Sequence, residues 1–241
     1  IVQLEQQIAS SGMAPNTPAA SVTETGDVVL QFQKPVYEAG TKLIALTFDD
    51  GPGKYTERLL DELKARGLHA TFFVVGQNAQ HYPALLKRMA EEGHVIGNHT
   101  MNHKNLTKLS ESEVLQQIDA CADIVENASG VRPYLLRCPG GKVKKVLKDQ
   151  HLALVNWSVD TRDWQSRNTE KVLETAFQSG NYGIRDGAIV LMHDVYETTL
   201  NAAVRMMDRL IADGYTIVTV PELLAARNEV VYAGVQYHAG F

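Results

Sequence analysis

The stretch Leu43-Ile44-Ala45-Leu46-Thr47-Phe48-Asp49-Asp50-Gly51-Pro52 decides the fold. An uncharged β-type run ends abruptly in two carboxylates and a Gly-Pro break, which reads as a strand running into a turn. A helical face of Tyr55, Leu59, Leu60 and Leu63 follows and stops at Gly67. Ala70 to Val75 is a second strand, and Tyr82, Leu85, Leu86 and Met89 mark a second helix closed by Gly93. A short strand at His94 to Ile96 precedes a helix from Glu111, where Ser110 and Glu113 stand at capping-box spacing and Gly130 lies beyond the end. Further strands are expected at Tyr134 to Arg137, Leu152 to Val159, Ala188 to Leu191 and Thr216 to Val220. Helices are expected at Val143 to Lys148, Thr169 to Gln178 and across Leu200, Val204, Met207 and Ile211.

Repeated β-then-α units predict a parallel sheet covered by helices. Neither GxGxxG nor GxxxxGK[ST] occurs, so the open nucleotide-binding sheets find no support. About seven to eight units in this length suit an α/β barrel, closed or nearly closed. The 241 residues carry 23 Lys and Arg against 28 Asp and Glu, a net charge of -5, which offers no basic field for nucleic acid. No apolar run approaches the roughly 18 residues of a membrane helix. The two cysteines, Cys121 and Cys138, allow one bridge and no zinc cluster. The first residue is Ile1, so a signal peptide or anchor upstream would be invisible here. Ser11 to Gly26 is rich in Ser, Thr, Ala, Pro and Gly. Residues 1–27 are therefore expected as tail and linker, and 28–241 as one domain.

Barrel enzymes build their sites at the C-terminal ends of the strands. Five strand ends in this chain deliver ionisable groups: Asp49-Asp50, His99 with His103, Arg137, Asp160 with Asp163, and His193. Each has a plainer reading: a D-D-G-P turn, two solvated histidines, a structural ion pair, a helix cap, a core histidine. Together they suggest chemistry. Both carboxylates of Asp49-Asp50 reach one place only if the strand stops there. His99 and His103 stand four apart, and two His plus one Asp is a three-ligand set that leaves open positions, as catalytic metals need. Arg137 near an aspartate would keep it ionised and aimed. Asp163 would orient a histidine, Trp164 would offer a wall to a sugar ring, and His193 opposite a metal would act as general acid.

The ordered set Thr47-Phe48-Asp49-Asp50-Gly51-Pro52, His99-Thr100-Met101-Asn102-His103, Arg137-Cys138-Pro139-Gly140-Gly141, Asp160-Thr161-Arg162-Asp163-Trp164 and Leu191-Met192-His193 resembles the five motifs of the NodB-type polysaccharide deacetylases, carbohydrate esterase family 4. The resemblance spans roughly residues 43–220. It implies a distorted (β/α) barrel that removes N-acetyl groups from N-acetylglucosamine polymers, or O-acetyl groups from xylan. By position, Asp50, His99 and His103 would bind one divalent metal, with zinc the default and cobalt, nickel or manganese acceptable. Asp49 would be the general base held by Arg137, and His193 the general acid oriented by Asp163. Trp164 and Leu191 would line the groove and acetyl pocket, and the Gly140 N–H would serve as oxyanion donor. The third motif departs from the pattern, with Cys138 and Gly140 where a proline and an aromatic are usual.

Three rivals remain open: an acetylxylan esterase, a glycoside hydrolase using Asp160 and Asp163, and a non-catalytic carbohydrate-binding barrel. The expected partner is a polysaccharide such as peptidoglycan or chitin. A monomer is expected, outside the cell or on its surface, with membrane attachment only through an anchor absent from this chain.

Overall fold

Along the first barrel strand, alternate residues part company. The computed structural model describes residues 18–23, 27–227 and 230–239. In β3 (Lys42–Asp49), Ile44, Leu46 and Phe48 pack with Leu59, Leu60 and Leu63 of α1 (Thr56–Ala65) and with Met206, Met207 and Leu210 of α7 (Glu197–Ala212). The intervening Leu43 and Ala45 meet Phe73 of β4 (Thr71–Val74), Val155 of β7 (Ala153–Val155) and Ile189 of β9 (Ala188–His193). A strand's period of two therefore sends one set to the helical layer and the other into the barrel. The inward set continues through Thr47 to Asp49, so polar groups gather at the C-terminal end.

The remaining elements follow in chain order. Two hairpin strands, β1 (Ala19–Val22) and β2 (Val28–Gln31), precede the barrel. After β4 come a single turn α2 (Gly76–Ala79), α3 (Pro83–Glu91), β5 (Val95–Asn98), α4 (Glu111–Ser129) and β6 (Leu135–Leu136). After β7 come β8 (Val159–Asp160), the turn α5 (Asp163–Ser166) and α6 (Thr169–Ala176). The chain finishes with β10 (Tyr215–Val218), α8 (Val220–Arg227), β11 (Val231–Tyr232) and β12 (Gln236–Tyr237).

Among the described residues nine strands form one sheet, ordered β12-β7-β6-β5-β4-β3-β9-β8, with β10 also on β3. All its pairings are parallel. Its curl makes a distorted (β/α) barrel, as expected. The small sheet β1-β2-β11 stands apart, and Leu30 and Val231 join it to the inner core beside Leu223 and Leu224 of α8.

Three expectations change. The apolar run Leu152 to Val159 is two strands, not one: β7 pairs near one end of the sheet and β8 forms the other end. Asn156 to Ser158 span the seam between them. The Asn156 N–H donates to the Tyr237 carbonyl at 2.6 Å and the Ser158 N–H to the Ile189 carbonyl at 3.0 Å. Periodicity cannot report a strand that changes edges. Val143 to Lys148 is not an α-helix but a short 3-10 turn at Lys145–Asp149. Ala19–Val22 pairs with β2 instead of running as linker, while residues 1–17 and 24–26 of the expected tail lie outside the described residues.

The capping box at Ser110 and Glu113 forms, and Gly130 closes α4 in the left-handed conformation at φ 76°. Cys121 and Cys138 are both buried free thiols, so no bridge joins them. Among the described residues no helix is long and apolar enough to cross a membrane.

Candidate active site

β3 and β9 are in register with Asp49 opposite His193, which sets a carboxylate and an imidazole side by side at the inner mouth. Asp49 is 2% exposed and takes an Arg137 Nη1 hydrogen bond on Oδ1 at 2.7 Å. Arg137 is wholly buried. Its other donors reach Thr47 Oγ1 at 2.7 Å and the carbonyls of Val155 and Asn156 at 3.2 and 2.8 Å. Its guanidinium lies 4.1 Å over the Phe73 ring. Burial pulls the guanidinium below its usual basicity and the Asp49 charge opposes that; four of its five N–H groups reach acceptors and the Phe73 ring covers its face. Arg137 thus ties the base candidate to the seam.

Asp50 follows Asp49 in sequence yet serves the same cavity, because its backbone turns left-handed at φ 71°. Its Oδ1 lies 3.6 Å from His99 Nε2 and 3.5 Å from His103 Nε2. One ligand atom from each of the three residues falls within 4.8 Å of the others. His99 Nδ1 donates to the Arg137 carbonyl at 2.6 Å, leaving Nε2 as the free lone pair facing Asp50. Burial holds the His99 ring below its ordinary pKa, against the pull of Asp49 and Asp50, and so favours the neutral form a ligand needs. Asp50 Oδ1 is buried with no hydrogen-bond partner. Two imidazole nitrogens and an orphaned carboxylate oxygen fit a small divalent cation.

The loop carrying the histidines is strained as well. Thr100 and His103 sit at φ 69° and 56°. The Asn98 side chain accepts from the Thr100 N–H at 2.8 Å, and Thr100 Oγ1 accepts from the His103 N–H at 3.1 Å. Three left-handed non-glycine residues in one cluster mark a site whose geometry is over-determined by its surroundings.

On the opposite wall, Asp163 is fully buried and accepts four hydrogen bonds. His193 Nδ1 donates at 2.8 Å, the His193 N–H at 2.7 Å, Thr199 Oγ1 at 2.7 Å and the Trp164 N–H at 2.8 Å. The Nδ1 contact fixes the tautomer and leaves Nε2 for the cavity. Burial disfavours charge on His193, but the Asp163 hydrogen bond and charge, with Asp49 and Asp50 behind them, raise it to about 9. Asp163 has no oxygen left for other work, and Asp160 Oδ1 accepts from the Arg162 N–H. The two-carboxylate glycosidase reading therefore loses one of its acids.

Leu191 lies in β9 between Thr47 and Asp160, almost fully buried. Trp164 is 48% exposed at the head of α5. Gly140 occupies a left-handed turn at φ 63° with open space where a Cβ would sit. Arg137 and Cys138 bring that turn to the rim. The structure also recruits residues the sequence reading passed over. Thr47 is legible in hindsight as an inward position, one alternation before Asp49. Thr199 carried no local signal, because the Asp163 carboxylate it bonds lies far away in the chain, whereas Asn98 bonds the Thr100 N–H only two residues on.

The chain matches the family model described as polysaccharide deacetylase over residues 37–156. It is 41% identical over 190 residues to the peptidoglycan-N-acetylmuramic acid deacetylase PdaC of Bacillus subtilis, covering 78% of this chain and 40% of the relative. It is 42% identical over 202 residues to the peptidoglycan-N-acetylglucosamine deacetylase PgdA of Listeria monocytogenes, covering 81% and 41%. The chain thus spans about two fifths of the length of these relatives. The solved structure of PdaC superposes with TM-score 0.75 at 41% identity, over 80% of this chain and 95% of that one. A family 4 acetyl xylan esterase from Clostridium thermocellum, solved with a cobalt ion, gives TM-score 0.75 at 31% identity, over 82% and 98%. Sequence motifs, barrel, clustered side chains and relatives agree: the chain belongs to the polysaccharide deacetylase family.

Proposed function

We propose that the chain is a metal-dependent hydrolase that removes N-acetyl groups from N-acetylglucosamine residues of a cell-wall polysaccharide, peptidoglycan first. One observation carries this reading. A cation-ready trio, Asp50, His99 and His103, stands beside a carboxylate held by Arg137 and faces a histidine held by Asp163. A divalent cation on that trio, zinc by default, supplies a water acidic enough to attack an amide at neutral pH.

The chain's own groups do the rest. Asp49 Oδ2, left free by the Arg137 contact on Oδ1, takes the proton of the attacking water. His193 Nε2 gives a proton to the departing amine, which leaves poorly without one. Asp163 keeps that ring charged and aimed. The Gly140 N–H is the donor offered to the acetyl carbonyl oxygen, Leu191 borders the acetyl group and the Trp164 face carries a sugar ring. A raised histidine favours amide over ester hydrolysis, because an ester's leaving group needs less help. A catalytic unit of residues 28–241, onto which Ala19–Val22 of the expected tail pairs as β1, a monomeric state and an extracellular or surface location belong to the same proposal.

The test is acetate release from N-acetylglucosamine oligomers, peptidoglycan glycan strands and acetylated xylan by metal-stripped protein, with and without zinc or cobalt. Metal-dependent acetate from the amides, with sugar chain length unchanged, is expected. Shortened sugars without acetate, or acetate from xylan alone, would overturn the reading.

A further inference from the structure

The turn that carries Asp49 and Asp50 is gripped from a side that the chemistry above does not use. Asp194, one residue past His193, is 1% exposed, and its Oδ1 has no hydrogen-bond partner. Its Oδ2 accepts from the Thr56 hydroxyl. That hydroxyl oxygen in turn accepts from the Gly53 N–H at 2.7 Å. The carboxylate also lies directly against Gly51: a Cβ there would fall 2.4 Å from both of its oxygens. From the other side the Val75 N–H donates to the Gly51 carbonyl at 3.1 Å, and Asn78 Nδ2 to the Asp50 carbonyl at 2.7 Å. Asp50 is held between these two grips in its left-handed conformation, and only there does its carboxylate face His99 and His103.

We propose that Asp194, acting through the Thr56 hydroxyl on the Gly53 N–H, is a positioning residue that holds Asp50 in the conformation the cation trio requires. A buried carboxyl group that leaves one oxygen without a partner is costly to keep. Its Thr56 link and its tight packing on Gly51 are aimed at a turn that must stay strained. The inference deepens the proposed function and rests on the reading of Asp50 as a ligand.

Thr56→Val removes the hydroxyl and keeps the shape, Thr56→Ser restores it, and Asp194→Asn keeps an acceptor oxygen. Each full-length variant is stripped of metal and titrated with cobalt by visible absorption against a competing chelator. Amide hydrogen exchange at Gly53 and kinetics on an N-acetylglucosamine oligomer are measured in parallel. Thr56→Val is expected to bind cobalt roughly ten- to a hundredfold more weakly, as for other groups that orient a ligand. Its kcat should fall while KM stays within about twofold, and Thr56→Ser and Asp194→Asn should recover both. Thr56→Val with unchanged cobalt affinity and kcat, and only a lower melting temperature, would overturn the proposal and leave Asp194 as packing. So would failure of Thr56→Ser to restore binding. Should the unmutated protein bind no cobalt, the proposed function falls, and exchange decides the latch by itself. Gly53 protection lost in Thr56→Val and regained in Thr56→Ser supports it, and protection unchanged in Thr56→Val overturns it.

Discussion

Replacing Asp163 by Asn removes one negative charge with almost no change of shape, and the structure says how far His193 should respond. The ring is raised from an ordinary 6.5 to about 9, against burial that works the other way, with the Asp163 hydrogen bond and charge as the leading cause. At about 1.4 kcal/mol per pH unit, the surroundings favour the charged ring by roughly 3 kcal/mol. Without that carboxylate, burial works against only the weaker pull of Asp49 and Asp50, and the ring falls well below 9. A group that is almost fully protonated at pH 7.5 then loses much of that charge. Four donors converge on Asp163, so an amide cannot serve them all without turning an N–H toward a donor. Misorientation adds to lost charge, and the combined fall in kcat/KM at pH 7.5 should be about 10²- to 10⁴-fold.

Two assays read this independently. The alkaline limb of the kcat/KM profile should move from near 9 to clearly lower pH in Asp163→Asn, and NMR titration of the His193 ring should move in step without any turnover. The same linkage governs stability. A raised histidine contributes fully below 6.5 and loses its contribution as pH climbs through 9, so urea unfolding should show up to roughly 3 kcal/mol lost across that window in the parent and little in the variant. A variant whose His193 still titrates near 9 would refute the assignment of Asp163 as the group that charges the ring.

Asp50→Asn should lower zinc or cobalt affinity at least about tenfold by calorimetry and take activity with it; full affinity would remove Asp50 from the trio. Arg137→Met strands the Asp49 carboxylate in the interior and frees two seam carbonyls, at a cost of about 3–5 kcal/mol in urea unfolding. A loss under about 1 kcal/mol would show that the pair is not uncompensated when broken. His94 is held down to about 4 by burial, with His69 adding to it, and its Nδ1 accepts from the Ala70 N–H at 3.2 Å. That stabilisation is present above 6.5 and drains as pH falls toward 4. His94→Asn should flatten the acid loss of stability over that range, and an unchanged slope would assign the loss to other groups.

Much of this protein was legible in one dimension because its physics is local there. Alternation along Leu43 to Asp49 told helical face from barrel interior, and strand ends told where ionisable groups would collect. The Gly-Pro break told where two adjacent carboxylates could converge. The capping box at Ser110 needed only four residues to be read. Where neighbours in space are distant in sequence, the reading stopped. Leu152 to Val159 looked like one strand, because an apolar run carries no mark of the seam it crosses.

Asp163 was legible as a partner for a histidine, but Thr199, which completes its hydrogen bonds, was not. Asp50 could be named as a ligand candidate, yet its left-handed backbone is held by Asn78, Thr56 and Asp194 reaching across from other elements. Composition, period and motif order by themselves determined the class of fold and the cast of reactive groups. Only the tertiary structure decided their aim, because aim depends on buried hydrogen bonds between segments whose separation in the chain no local pattern records.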